Sequence, residues 1–415
     1  MEKIINRDIY LSRLIDKKEN GLIKVITGIR RCGKSYLLFY LFRDYLISSG
    51  VKEEQIISIA LDDDICEQYR NPDELSKYIR SKIVNKEMYY ILIDEVQYAI
   101  TKKELENPED VKLYNVLNGL MHLRNVDIYV TGSNSKFLST DIITEFRGRG
   151  TQICVHPLSF AEIMSVDQRH PIDVWNDYYT YGGLPLVLSL STDEAKESYL
   201  KDLYAKVYLT DIKDRYSIRC DSELQELLQI IASTIGSPTN PSKLENTFKS
   251  VKNVTLSSKT INTYLSYLED AFLIEKSIRY DIKGKKYINT LAKHYFTDMG
   301  IRNAILGVRQ MEENHIMENV IYNELRIRGY SVDVGMVETR PLNSEGKRIR
   351  KQYEVDFVAN RGSQRYYIQS AFIMPTDSKE RQESNSLLNI DDAFKKIIIV
   401  KDYIKPKRNQ LGIIT

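Results

Sequence analysis

Short apolar blocks, each closed by glycine or charged residues, divide the first third of the chain. Leu22–Thr27 (LIKVIT) stops at Gly28, and after Lys34 the chain restarts as an apolar, periodic helix. Gln55–Leu61 (QIISIAL), Met88–Asp94 (MYYILID) and Val126–Thr131 (VDIYVT) predict three further strands. The near-continuous apolar content of Met88–Asp94 is that of a buried parallel strand whose carboxyl end enters a site. Helical spacing over Ile9–Ile15 and Val111–Leu123, and the cap and first turn at Asn71-Pro72-Asp73-Glu74, place helices among these strands. The first part of the chain is therefore expected to be α/β.

The pattern changes at Gly236-Ser237-Pro238-Thr239-Asn240-Pro241, where glycine and two prolines forbid a continuous helix. Beyond it the spacing predicts a helix over Ser242–Val251, a turn, and an amphipathic helix burying Ile261, Tyr264, Leu265, Leu268 and Phe272. Leu273–Tyr280 and Lys285–Asn289 then read as a hairpin around Asp281-Ile282-Lys283-Gly284. Helix, turn, helix, hairpin is the order of a winged helix-turn-helix. Further on, Glu318 falls on a helix, and Glu354–Val358 and Tyr366–Ala371 read as paired strands around a turn at Asn360–Ser363.

Composition narrows the class. A chain of 415 residues with 42% apolar content suits two or three packed domains, and a formal net charge of +2 gives no global attraction to nucleic acid or anionic membrane. Any basic surface must be local. Between Glu275 and Arg309 there are eight Lys or Arg against three Asp or Glu, with Lys283, Lys285 and Lys286 at the hairpin tip. This is a candidate phosphate-contacting face for double-stranded DNA. Against it stands a packing module with ordinary solvated lysines. Cys32, Cys66, Cys154 and Cys220 are scattered without paired spacing, so neither a disulfide framework nor a zinc site is expected. The charged, amphipathic amino terminus is unlike a signal peptide, and no apolar run reaches the length of a membrane span, so a cytoplasmic, membrane-free protein is expected.

The chemistry concentrates in the first part. Gly28-Ile29-Arg30-Arg31-Cys32-Gly33-Lys34-Ser35 fills every fixed position of G-x-x-x-x-G-K-[ST], the Walker A loop. Glycines let backbone N–H groups close around phosphate, and the helix beginning near Tyr36 turns its amides and positive dipole end to the anion. Lys34 is expected on the β- and γ-phosphates of ATP, with the Ser35 hydroxyl on Mg²⁺. Asp94-Glu95 closes an apolar strand as a Walker B pair, Asp94 toward Mg²⁺ and Glu95 toward the attacking water. Ser133 and Asn134, where the next strand ends, are candidates for sensing the γ-phosphate, or else cap the next helix over Ser135–Leu138. Arg147 and Arg149 are candidate arginine fingers, in the same subunit or a neighbour's, or ordinary surface arginines. Asp62-Asp63-Asp64 reads better as a solvated loop than as a metal site.

These motifs, with HPLSFAEI and Tyr181-Gly182-Gly183-Leu184-Pro185, resemble the AAA+ family ATPases of bacteria and archaea of the archaeal-ATPase-like kind over residues 1 to about 220. The stretches YLEDAFLI, YDIKGKK and YFTDMGIRN resemble the C-terminal domain of unknown function that accompanies them. The resemblance implies a P-loop core over 1–158, a helical lid over 159–235, a winged helix over 236–310 and a final domain over 311–415. The final domain resembles a restriction-endonuclease-like α/β core. Glu318 and Asp356 fit its first two acidic positions, but its E-x-K positions hold Gln369-Ser370-Ala371, so one ligand has lost its charge and the lysine is missing. A degenerate site is expected, unless Lys379 or Lys395 supplies the missing cation. The expected function is Mg²⁺-dependent ATP hydrolysis driving a switch coupled to DNA, a protein partner or a homo-oligomer. The alternatives are an ATP-regulated nuclease and a nucleotide-gated scaffold without turnover.

Overall fold

A computed structural model describes residues 4–101, 103–104, 111–133, 150–218, 221–251, 256–309, 311–342, 344, 346–373, 377–401 and 404–415. Asn134, Arg147 and Arg149, and the helix expected over 135–138, lie outside the described residues.

Five parallel strands form the first sheet: β1 (Ile23–Thr27), β2 (Ile56–Ala60), β3 (Tyr89–Asp94), β4 (Val126–Gly132) and β5 (Gly150–Cys154), in the order β2-β3-β4-β1-β5. Their side chains divide by parity. Ile23, Val25, Ile91, Ile93, Ile128 and Val130 enter one core, whereas Ile26, Tyr90, Leu92 and Tyr129 enter the core on the opposite face. Both faces are covered, which is why the strands read as apolar runs and not as alternation. Because β4 separates β1 from β3, its carboxyl end lies between the glycine-rich loop and Asp94-Glu95.

The second of these cores does not stop at the sheet. It continues through Leu184, through Leu203 and Ile212 of the helices after β5, through Leu227, Phe248, Ile261 and Leu268, and on to Ile316. The helical segments over 160–216 therefore share a core with the helices Asp221–Ser233, Pro241–Val251 and Ser258–Asp270. Tyr216 and Tyr267 stack with ring centroids 3.6 Å apart, and the Tyr216 hydroxyl donates to Asp270 at 2.9 Å.

A seven-stranded sheet follows, formed by β6 (Pro238–Thr239), β7 (Ile274–Asp281), β8 (Lys286–Phe296), β9 (Ser331–Thr339), β10 (Lys351–Arg361), β11 (Gln364–Ala371) and β12 (Lys395–Val400). Its order is β12-β11-β10-β9-β7-β8-β6, and β7 pairs in parallel with β9. The hairpin β7–β8 and the strands beyond residue 310 are thus one sheet, which crosses the boundary expected there. Gly335 of β9 permits the join: a Cβ there would lie 2.9 Å from Ile282, Val355 and Val358 side-chain carbons.

The Tyr181–Pro185 turn is held from this same region. Asp298 accepts the Gly183 N–H at 2.8 Å and caps the helix Met299–Ile305 through Ile301 N–H at 3.0 Å. At Gly182 (φ +77°) a Cβ would strike the Asp298 carboxylate at 2.2 Å. Among the described residues no helix is long and apolar enough to cross a membrane.

Candidate functional site

The Walker A loop leaves β1 at Gly28, which adopts φ +142° and lies so close to the backbone just beyond β5 that a Cβ would meet Val155 O at 2.1 Å. Glycine is required there for room as well as for conformation. Arg31 (φ 63°) and Gly33 (φ 97°) complete the left-handed turns that aim the loop's amides inward. Helical backbone starts at Lys34 and continues to Ser48, with a π-type stretch over Leu37–Phe42. Lys34 is buried inside the loop, its Nζ donating to Gly28 O at 3.0 Å and Ile29 O at 3.1 Å. The Ile29 and Cys32 side chains point into the protein, Cys32 Sγ donating to Val155 O at 3.3 Å, while the Tyr36 ring stacks on Tyr40 outside.

Asp94, at the end of β3, faces this loop. Its carboxylate accepts from the Thr131 hydroxyl. Burial pushes the Asp94 pKa up, against the Ser35 and Thr131 hydroxyls and the nearby Lys34 charge, which favour the anion. Glu95 follows with φ 52° and ψ 51°, a backbone conformation costly for a non-glycine residue. Thr131 Oγ1 accepts the Glu95 N–H at 3.0 Å, so one side chain on the intervening strand fixes both acidic residues. The Glu95 carboxylate accepts from Gln97 Nε2 and, at 3.4 Å, from Ser133 Oγ. Ser133 thus lies beside Glu95.

The walls of the site come from later in the chain. A cavity of 1330 Å³ is lined by Lys34, Ser35 and Glu95 and also by Ile163, Tyr178 and Leu186. Arg30 spans from the loop to the helix Leu209–Tyr216, donating to Asp211 at 2.7 Å, and Tyr208 donates its hydroxyl to Arg30 O at 3.0 Å. Burial opposes the Arg30 charge, yet Asp211 and Glu95 hold its pKa above the ordinary value. Arg7 is buried behind the loop and donates to Cys32 O at 3.1 Å and His156 O at 2.7 Å.

The structure therefore gathers Gly28, Gly33, Lys34, Ser35, Asp94, Glu95 and Ser133 at one place. Thr131, Gln97, Arg7 and Asp211 were not singled out from the sequence. Thr131 had a legible signal, since it is the last hydroxyl on a strand that must end beside the glycine-rich loop. Arg7 and Asp211 had none, because their partners lie 25 and 181 positions away.

A second polar cluster lies in the seven-stranded sheet. Glu318, Glu354 and Asp356 converge on Lys293 of β8, whose Nζ lies 2.9 Å from Glu318, 2.8 Å from Glu354 and 4.0 Å from Asp356. The lysine in this cluster is thus Lys293. Lys395 is exposed beside the Tyr366 ring, and the Lys379 side chain lies outside the described residues. A third cluster, Cys154, His156 and Glu275, has ligand atoms within 4.8 Å of one another. Arg326 already donates to Glu275 at 2.7 Å, and burial pushes the Cys154 thiol up to about 12, so the charge of an ion is supplied there by a guanidinium.

Fold and loop together define a P-loop domain of the AAA type. Comparison with known proteins agrees: residues 20–164 match the model of the family described as "AAA domain", and residues 172–312 match "Domain of unknown function (DUF8612)". An uncharacterized protein of Haemophilus influenzae is 34% identical over 406 residues, spanning 96% of this chain and 94% of its own. The chain belongs to the family of that protein, an AAA P-loop ATPase-like domain joined to a C-terminal domain of unknown function. An uncharacterized protein of Methanocaldococcus jannaschii is 28% identical over 96% of this chain and 86% of its own. Among solved structures, the Aeropyrum pernix Orc1 protein in complex with DNA is 11% identical with a TM-score of 0.34, covering 73% of this chain and 93% of that one. Cdc6p from Pyrobaculum aerophilum is 12% identical with a TM-score of 0.32, covering 78% and 96%.

Proposed function

We propose that the chain binds ATP with Mg²⁺ and hydrolyses it, and that turnover shifts the helical segments over 160–216 against the rest of the molecule. The observation carrying this reading is the convergence of Ser35, Asp94 and Thr131 beside Glu95 at the mouth of the glycine-rich loop. Backbone amides from Arg30 to Tyr36 would hold the phosphates, and Lys34 would exchange its carbonyl partners for phosphate oxygens. The donor set, one hydroxyl and one carboxylate, suits a hard divalent cation that keeps several of its own waters. Mg²⁺ held by Ser35 and Asp94 would neutralise phosphate charge. Glu95 would accept a proton from the water attacking the γ-phosphorus as the bond to the β–γ bridging oxygen breaks, releasing ADP and phosphate. Ser133 and Gln97 would hold Glu95 in position, and the apolar wall at Ile163, Tyr178 and Leu186 would receive the base.

Coupling would run through Arg30, whose guanidinium ties the loop to Asp211. Beyond it, the Tyr216–Tyr267 stack reaches the helix Ser258–Asp270. The partner receiving this motion is duplex DNA in our reading, with a protein or a second copy of the chain as the other outcomes. Arg147 and Arg149 are retained as candidate fingers.

Nucleotide binding and phosphate release by two variants test the proposal. Lys34→Ala should lose ATP binding, and Glu95→Gln should keep binding while losing turnover. Wild-type phosphate release in both variants would overturn it.

A further inference from the structure

The parallel pairing of β7 with β9 brings two basic segments, far apart in sequence, to one end of the second sheet. Asp281 pairs with Met336, and Ile282 N–H donates to Met336 O at 3.0 Å, so the hairpin tip with Lys283, Lys285 and Lys286 projects where β9 ends. There β9 gives way to the excursion over 340–350, and β10 begins at Lys351 opposite Thr339. That excursion carries Arg340, Lys347, Arg348 and Arg350. All of these side chains, with Lys351, are exposed.

Among the described residues at this end, two carboxylates are engaged internally. Glu338 accepts from Arg350 at 2.7 Å and from Arg340 at 3.3 Å, pinning the two ends of the excursion, and Asp281 accepts the Gly284 N–H at 2.9 Å within the hairpin turn. The helix Ser258–Asp270 is much less suited to phosphate. It buries Ile261, Tyr264, Leu265 and Leu268, carries Lys259 as its basic residue, and ends in Glu269 and Asp270.

We infer that this end of the sheet, formed jointly by the hairpin tip and the basic residues Arg340, Arg348 and Lys351, is a docking surface for the phosphate backbone of duplex DNA. The inference deepens the reading that DNA is the partner, and rests on it. From β8 to β10 the surface spans three strand spacings, about 14 Å. A B-form major groove is about 12 Å wide. The hairpin tip and the basic residues where β9 ends and β10 begins therefore suit the two backbones flanking one groove. Contacts of this kind fix position and carry little sequence information.

The test is fluorescence anisotropy of the full-length protein with a mixed-sequence 30-bp duplex across a salt series. The wild type should bind with a steep salt dependence. The triple variant Lys283→Glu/Lys285→Glu/Lys286→Glu and the double variant Arg348→Glu/Lys351→Glu should each weaken binding at least tenfold. Each should also reduce the log–log salt slope by about 0.9 for every phosphate no longer neutralised. Lys259→Glu should bind within twofold of wild type, and basal ATP turnover should stay unchanged in all of them. Wild-type binding that survives both multiple variants, or is lost in Lys259→Glu alone, overturns the surface while leaving DNA as partner. Absence of wild-type binding at 50 mM salt overturns the partner reading, and the surface with it.

Discussion

Lys293 Nζ lies 2.9 Å from Glu318 Oε1, joining a strand of the hairpin to the helix Glu313–Ile327 inside the second sheet's core. The lysine is 3% exposed, and Tyr295 donates its hydroxyl to the same carboxylate oxygen at 2.7 Å. Burial opposes the ammonium, but Glu318 and Glu354 more than offset this and raise its pKa. Burial first, and then the Glu318 charge, push the Asp356 carboxyl well above the usual carboxylate range. Lys293, together with Arg279 at 3.0 Å from Glu354, supplies the cations that face these carboxylates.

Breaking one partner of such a pair leaves an uncompensated buried charge. Lys293→Met should destabilise the chain by about 3–5 kcal/mol, and the double variant Lys293→Met/Glu318→Gln should recover part of that loss. Chemical denaturation of the two variants measures the difference; equal losses would mean the charges do not interact. Because the ammonium already sits among the carboxylates that a divalent ion would need, the wild type should leave supercoiled plasmid intact in Mg²⁺ or Mn²⁺. Nicking that disappears in Asp356→Ala would reverse this view of the site.

Asp298 makes one part of the stability depend on pH. Burial raises its carboxyl to about 6, against hydrogen bonds from Gly183, Ile301 and Gly300 that favour the anion. The folded state therefore binds the proton more tightly than the unfolded state, whose value is near 4. The stabilising contribution is complete below pH 4 and is lost as pH rises through 6, a change on the order of 3 kcal/mol. Asp298→Asn should flatten the unfolding midpoint between pH 4 and 6. A variant that keeps the wild-type pH profile would place the effect elsewhere.

Arg30 and Asp211 should act as one unit in turnover. Their bond ties the phosphate loop to the helix Leu209–Tyr216, and both side chains are only partly exposed. Asp211→Asn should lower kcat about fivefold with KM nearly unchanged, a loss of about 1 kcal/mol. Adding Arg30→Ala should cost little more than Arg30→Ala alone, since each variant removes the same link. Additive losses in the double-mutant cycle would show that the two residues work independently.

What could be read in the residues divides by distance along the chain. Strands β1, β3 and β4 and the Lys34, Ser35, Asp94 and Glu95 positions were legible because burial on both faces writes an apolar run and phosphate chemistry demands local spacing. The union of the hairpin with the last strands was not, since strand pairing between Tyr280 and Gly335 leaves no local mark on either segment. For the same reason Lys293 was not seen as the partner of Glu318. A lysine flanked by Ala292 and His294 looks like any other strand residue until the helix Glu313–Ile327 is laid over it.

Thr131 offers the sharpest separation of binding from chemistry. Its hydroxyl donates to Asp94 and accepts the Glu95 N–H, so it holds the metal-side carboxylate and steadies the left-handed backbone that aims Glu95. Valine keeps the shape and removes both bonds. Asp94 then loses a hydrogen bond that favours its charged form, and burial drives its pKa higher still. Thr131→Val should retain ATP binding within a few-fold, since the glycine-rich loop is untouched, while turnover falls by about 10- to 100-fold and needs more Mg²⁺. Thr131→Ser keeps the hydroxyl and should recover most of the rate. Equal losses in Val and Ser variants would mean that the methyl group's packing, and not the paired hydrogen bonds, is what the site requires.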